Sequence, residues 1–409
     1  MDKYTTKTVF NEYIYPLDTH VVQKMIDHAE IDKYVKKLDT LTFTKLFIYA
    51  QLQGLPSLRR ISEKVKRKKA VQRIVGIASI SKSQLSRKLR DIPPEIFEVV
   101  LHHLIQKLHQ QIGPKKVDAA LGKIHLIDSS TISMCLSQYR WADFRDTKAG
   151  VKMHTSIIFS DGISYPNDVI ITPARPSDLT QLDALIVQDK EALHVFDRGY
   201  FDFDKFDFYC ENGIRFVTRI KSNTIIHLIE ELPVDSSSAI TRRAIVKIGK
   251  MKHPLYLIEA LNGEGKKISI VCNDAKRSAQ EISDLYRNRW QIELFFKWIK
   301  QHLVLKKFYG QGANTVFNQI YIAMITFCLT LLLKTKLGYK GTLLHLFEWI
   351  SDFWTEKLSA LVKKLFKKPK RSSKGRRRMN HQQIFEETEA QYVQGATDHL
   401  DDLTYDPII

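Results

Sequence analysis

Two short apolar runs, KIHLID and ALHVFD, each stop at an aspartate, Asp128 and Asp197. Runs of this length read as buried strands rather than helices, so each acid is expected at a strand end. Between them, VKMHTSIIF and ISYPNDVIIT read as two further strands around a Ser160-Asp161-Gly162 hairpin turn, and SDLTQLDALIVQD reads as a helix. After the second acid, FDFDKFDFYCENG reads as a helix closed by Gly213, and IRFVTRI as another strand. From about residue 117 the chain is therefore expected to build an α/β sheet.

The order three strands, helix, strand, helix, strand is that of a ribonuclease-H-like core. There the first and fourth strands are parallel neighbours, so Asp128 and Asp197 are expected side by side at the carboxyl edge of the sheet. Residues 221 to about 277 hold four more β segments, NTIIHLIEE, ITRRAIVKIG, HPLYLIEAL and KKISIVCND, and read as a β insertion. Three domains are expected. Residues 1–115 form an all-helical domain, 116–345 the α/β domain, and 346–409 a C-terminal helix, a basic arm and an acidic tail. Within the first, helical periodicity runs through VVQKMIDHAEIDKYVKKL and FTKLFIYAQLQGL. SISKSQLSRKLRDIPPEIF has a Ser cap, Leu85 and Leu89 on one face, and Gln84, Ser86, Arg87 and Lys88 facing outward, as in the reading helix of a helix-turn-helix.

The formal charge of +18 points to a polyanionic partner, nucleic acid before an anionic membrane surface. Cys135, Cys210, Cys272 and Cys328 lie far apart without a CxxC pair. That argues against a zinc site or disulfide framework and suits a reducing cytoplasm. The N-terminal MDKYTTKTVF has no apolar signal core. The apolar run Ile320–Leu333 is short for a membrane span and closes at Lys334 and Lys336, so a buried helix is expected and no membrane partner. LVKKLFKKPKRSSKGRRRMN, residues 361–380, is too charged to pack and reads as a basic arm.

Downstream, DLYRNRWQIELFFKWIKQHL has no Gly or Pro and reads as one helix. Tyr286, Arg289, Glu293 and Lys300 fall within an arc of roughly 60° on it. Leu285, Ile292, Phe296, Ile299 and Leu303 form an apolar stripe beside them, and Trp290 and Trp298 read as core or DNA-stacking residues. With Asp128 and Asp197, Glu293 makes three carboxylates. That number is enough to hold two divalent cations about 3.5–4 Å apart, and hard oxygen ligands select Mg²⁺ or Mn²⁺.

These motifs resemble the DDE transposases of bacterial insertion sequences, in the family founded on insertion sequence four. Its Tyr-x2-Arg-x3-Glu-x6-Lys signature stands here as Tyr286, Arg289, Glu293 and Lys300. Asp128-Ser129-Ser130 is similar to its first acidic motif, Asp197-Arg198-Gly199-Tyr200 to its second, and Lys152 with His154 to its Lys-x-His pair. The resemblance implies that Asp128, Asp197 and Glu293 are the catalytic residues and ligate two Mg²⁺ or Mn²⁺ ions. It implies that Tyr286, Arg289, Lys300, Arg198, Lys152 and His154 contact DNA. The implied partners are double-stranded inverted-repeat ends, target DNA and a second copy of the chain, in the cytoplasm and nucleoid of a bacterium. Two other readings remain at this point: a non-catalytic domesticated transposase acting as a repressor, and a ribonuclease-H-like nuclease.

Overall fold

In the computed structural model, residues 7–367 are described apart from 18–19, 117–122, 161–162, 222, 235–239 and 262–266. Seven helices come first: α1 Val9–Tyr13, α2 His20–His28, α3 Thr40–Leu52, α4 Leu58–Arg67, α5 Lys69–Val75, α6 Lys82–Asp91 and α7 Pro94–Lys116. The sheet region follows as β1 Ile124–Cys135, β2 Asp143–Arg145, β3 Lys148–Ser160, β4 Ile163–Pro173, α8 Leu182–Leu185, β5 Leu193–Phe196, α9 Phe203–Glu211 and β6 Arg215–Arg219. Next are β7 Ile226–Leu232, β8 Ile240–Ile248, β9 Leu255–Leu261 and β10 Lys267–Cys272. Five helices complete the described chain: α10 Ala279–Asn288, α11 Trp290–His302, α12 Ala313–Leu337, α13 Leu343–Phe353 and α14 Leu358–Leu365.

The fold is mixed α/β, with a helical N-terminal region and one mixed sheet of ten strands among the described residues. Its order is β2-β3-β1-β5-β6-β10-β9-β8-β7, and β4 also pairs with β3. β1, β5 and β6 are parallel, and the remaining pairings are antiparallel. The four β segments expected between residues 221 and 277 are all present. They do not form a separate layer: β10 pairs with β6, so they extend the same sheet.

Several expectations change in detail. The strand at Asp128 does not end there. β1 runs seven residues further, because β3 pairs with it along its whole length, from Ile124↔Phe159 to Cys135↔Lys148. The helix expected in SDLTQLDALIVQD shrinks to a 3₁₀ turn, Asp178–Gln181, and the single turn α8. Its continuation is lost because the Val187 amide donates to the buried His194 ring instead (3.1 Å). The pattern VVQKMIDHAEIDKYVKKL stays helical only to His28. Beyond it, Glu30 and Tyr34 adopt left-handed backbone, and Asp32 accepts from the Thr40 amide and hydroxyl. The helix expected from Asp284 to Leu303 tightens at Arg289, where hydrogen bonds step back three residues rather than four. The Ser160-Asp161-Gly162 turn lies in part outside the described residues, as do the arm beyond Lys367 and the acidic tail; the first residues of the expected arm do pack, because α14 buries Leu361 in the core.

α12 is the spine. It is apolar on every side, which a solvent-facing helix is not, and nearly the whole of it is buried within the fold. α7 packs along it. Tyr13 of α1 donates to the Thr326 carbonyl (2.6 Å), and one buried core runs from α1 through α12 to the sheet. Phe295 and Trp298 of α11 meet Phe327 of α12 edge to face, with ring centroids 5.2 Å apart in both pairs. Phe327 is fully buried. Phe327→Ala is expected to destabilise the chain by about 3–5 kcal/mol, the cost of a large core cavity. Denaturant unfolding followed by circular dichroism checks this.

Candidate active site

The parallel β1–β5 register ends at Ile127↔Phe196, so the next residues on neighbouring strands are Asp128 and Asp197. Both face one cleft of about 750 Å³, which Arg289, Glu293, Lys297 and Lys300 of the α10–α11 junction and α11 also line. The sequence positions α11 there for two reasons. Its stripe, Ile292, Phe296, Ile299 and Leu303, is buried, and Ser278 opens α10 with a capping box that fixes the incoming chain. The face that bears Glu293 and Lys300 is thereby turned onto β1.

Arg289 holds the centre. One guanidinium nitrogen donates to Asp128 Oδ2 (3.0 Å) and the other to Glu293 Oε1 (2.5 Å). All three side chains are largely buried. Burial raises the Asp128 carboxyl to about 7; Arg289 pulls it back, and Asp197 and Glu293 push it up. Burial works against the Arg289 charge, but Glu293 and Asp128 hold its guanidinium above the usual value. One cation therefore serves two carboxylates with a third nearby, and the cleft is short of positive charge at its carboxyl end.

Asp197 is held differently. It caps a 3₁₀ turn, Arg198–Tyr200, and its Oδ1 accepts from the Gly199 amide (2.8 Å). A Cβ on residue 199 would lie 2.9 Å from that same oxygen. Glycine there lets the backbone approach the acid. Arg198 is exposed beside it.

The other expected residues divide. Lys300 donates to the Thr131 carbonyl (2.9 Å) and lines the cleft. Tyr286 is half-buried behind Arg289, its phenol raised by burial. Lys152 and His154 pair across the strands with Thr131 and Ser129, so by strand alternation they project on the face opposite Asp128. Asp178 binds Lys152 (3.0 Å) and lies 3.5 Å from His154, whose other ring nitrogen meets the Thr172 hydroxyl. Burial lowers the His154 imidazole to about 4, so it is neutral at pH 7. Trp298 is core, whereas Trp290 edges the cleft. Lys88, expected to face outward, pairs instead with Asp32 (2.6 Å). Lys297 and Lys306 also line the cleft and were not among the expected residues. The first had a signal, four residues after Glu293 on the same helical face; the second, beyond the helix, had none.

The donor set suits a hard divalent cation: three carboxylates, no thiolate, and one acid raised by burial and, to a lesser degree, by the two acids beside it. Among the described residues no three such groups already stand at ligand distance. The Arg289 guanidinium lies between two of them.

The family described as transposase DDE domain matches residues 120–329, the segment that contains all three acids. The chain belongs to that family. A domain of unknown function matches residues 5–78. The chain is 26% identical to a probable transposase for insertion sequence element IS5377 of Geobacillus stearothermophilus, over 76% of this chain and 83% of that one. It is 26% identical to a putative transposase for insertion sequence element IS4SA of Synechocystis, over 83% and 95%. A putative transposase, y4zB, of Sinorhizobium fredii is 32% identical over 50% and 59%.

Two outcomes follow from this geometry. Gly199→Ala is expected to displace the Asp197 carboxylate and depress DNA nicking while the thermal unfolding curve stays unchanged. Asp128 is raised in the fold, so the folded state holds its proton more tightly than the unfolded state does. The group's contribution to stability therefore falls as pH rises from about 4 to about 7. Without metal, Asp128→Asn is expected to raise Tm by a few degrees at pH 8 and to change it little at pH 4, as read by calorimetry.

Proposed function

We propose that this transposase-family chain is an enzyme that cuts DNA at the inverted-repeat ends of an insertion sequence and joins those ends to target DNA. The observation that carries this is a cleft in which Arg289 ties Asp128 to Glu293 while Asp197 and three lysines, Lys297, Lys300 and Lys306, line the same walls. Carboxylates gathered on a cationic wall suit phosphodiester chemistry, in which metal and phosphate meet at one point.

Asp128, Asp197 and Glu293 would hold two Mg²⁺ or Mn²⁺ ions. Bound there, the ions would supply the Lewis acidity that activates water or a 3′-hydroxyl and stabilises the leaving oxygen. The protein's own part is to bind and orient. Once freed from its carboxylates, Arg289 would offer its two-pronged donor to a DNA phosphate. Lys300, tied to the strand carbonyl of Thr131, holds a further phosphate as a point charge. Arg198, exposed beside Asp197, is placed to meet the strand entering from that side. Tyr286 supports Arg289 from behind. Lys152 and His154, held by Asp178 on the opposite face of the sheet, would brace β3 beside β1 rather than touch the reacting phosphate.

Tyr286, Arg289, Glu293 and Lys300 support placement in the insertion-sequence-four family. The parallel strands β1, β5 and β6 with antiparallel β3 and β4 support a ribonuclease-H-like core within residues 116–345, preceded by a DNA-recognising helical region. Two ends must be cut and joined together, so two copies of the chain are expected on paired ends.

Nicking of supercoiled plasmid that carries the element's ends tests this. Activity is expected with Mg²⁺ or Mn²⁺ and not with EDTA. Asp128→Asn, Asp197→Asn and Glu293→Gln are each expected to abolish it while end binding persists in a mobility-shift assay. Full nicking by any of the three variants overturns the assignment.

A further inference from the structure

Residues 58–91 carry twelve Lys and Arg against two acids, an excess of ten charges in a chain whose whole excess is +18. They fold into three helices, α4, α5 and α6, which are locked by polar bonds as well as by core. The Gln72 amide donates to the carbonyls of Val65, Lys66 and Ala78 at 2.9, 3.2 and 3.0 Å, and the Ser62 hydroxyl to that of Ile80 (2.6 Å). Leu85 and Leu89 are fully buried beneath α6, and Ser81 with Gln84 closes its N-terminal end as a capping box. α6 leaves Lys82, Ser83, Ser86, Arg87, Arg90 and Asp91 exposed; of these, Ser83, Ser86, Arg87 and Arg90 share an arc of about 100°. Gln84 and Lys88 are excluded from it, the first by its cap and the second by Asp32.

The two ends of α6 differ. Its C-terminal carbonyls are held by the catalytic spine: the fully buried Asn318 of α12 donates to Leu89 (2.9 Å) and Ile92 (2.8 Å), and Asn314 to Arg90 (3.1 Å). Its N-terminal end is tied instead to α4, where the Ser62 hydroxyl donates to the Ile80 carbonyl just before the helix begins. On the far side of α12, Phe327 packs against Phe295 and Trp298 of the helix that carries Glu293.

We propose that α6 reads base edges in the major groove of duplex DNA through Ser83 and Arg87, while the exposed cations Lys66, Arg67, Lys68, Lys69 and Arg73 of α4 and α5 hold the flanking phosphates. Asn318 fixes this reading helix to the catalytic body. A recognition helix presents its N-terminal residues to bases, and an arginine there takes guanine in a bidentate contact. The inference deepens the transposase reading and rests on it for its biological target, but the binding itself does not depend on cleavage.

Selection from a pool of random duplexes by the full-length protein in EDTA tests it, with affinities then measured by anisotropy at stated salt. The wild-type chain is expected to enrich one motif. Arg87→Ala is expected to relax one guanine position and lower affinity for the motif about 5- to 100-fold, with scrambled duplex bound nearly as before. Lys66→Ala with Arg67→Ala is expected to weaken motif and scrambled duplex alike and reduce the salt slope by about two. Arg87 is exposed, so unchanged thermal unfolding separates this from misfolding. Enrichment of the same motif with the same preference by Arg87→Ala and Ser83→Ala overturns α6 as the reader. No motif from the wild-type chain overturns sequence reading altogether. Metal-dependent nicking, assayed separately, decides the catalytic reading independently of both.

Discussion

The ion bridge from Asp128 through Arg289 to Glu293 is the interaction on which the cleft depends. It joins β1, an interior strand of the sheet, to a residue at the start of α11 that lies 161 positions later. Without a cation between them, two buried carboxylates with a third nearby would repel in a poorly screened setting. Arg289 relieves that repulsion and sets the distance between β1 and α11. The same guanidinium is suited to let go, because phosphate is as good a bidentate partner as carboxylate. Asp128 and Glu293 are thus held together by an arginine that the chain itself supplies.

The bridge is only as firm as the elements that bear it. β1 is paired on both sides up to Ile127 and on one side beyond, so Asp128 sits where the sheet changes from two neighbours to one. That change opens the floor of the cleft. α11 is held by its apolar stripe and by the aromatic contact of Phe295 and Trp298 with Phe327. α12 in turn anchors α1 through Tyr13 and α6 through Asn318. One buried helix therefore links the N-terminal helices to α11, and their relative placement is fixed by core packing rather than by a linker.

The sequence determined much of this by itself. Strands at Asp128 and Asp197, the four later β segments, the apolar stripe of α11 and the buried character of α12 are all written in local periodicity, which depends only on neighbours in the chain. The clustering of Asp128, Asp197, Arg289 and Glu293 was legible because strand ends and helix faces have fixed geometry. Only the tertiary structure decided the rest. β1 runs past Asp128 because β3 is there to pair with it. α8 stops because His194 captures the next amide. Lys88 turns inward to Asp32, and Lys152 and His154 project away from the acids, because partners distant in sequence hold them. Lys306 reaches the cleft from outside any regular element. Each of these rests on a contact between residues far apart along the chain, and such a contact leaves no periodic trace in either segment.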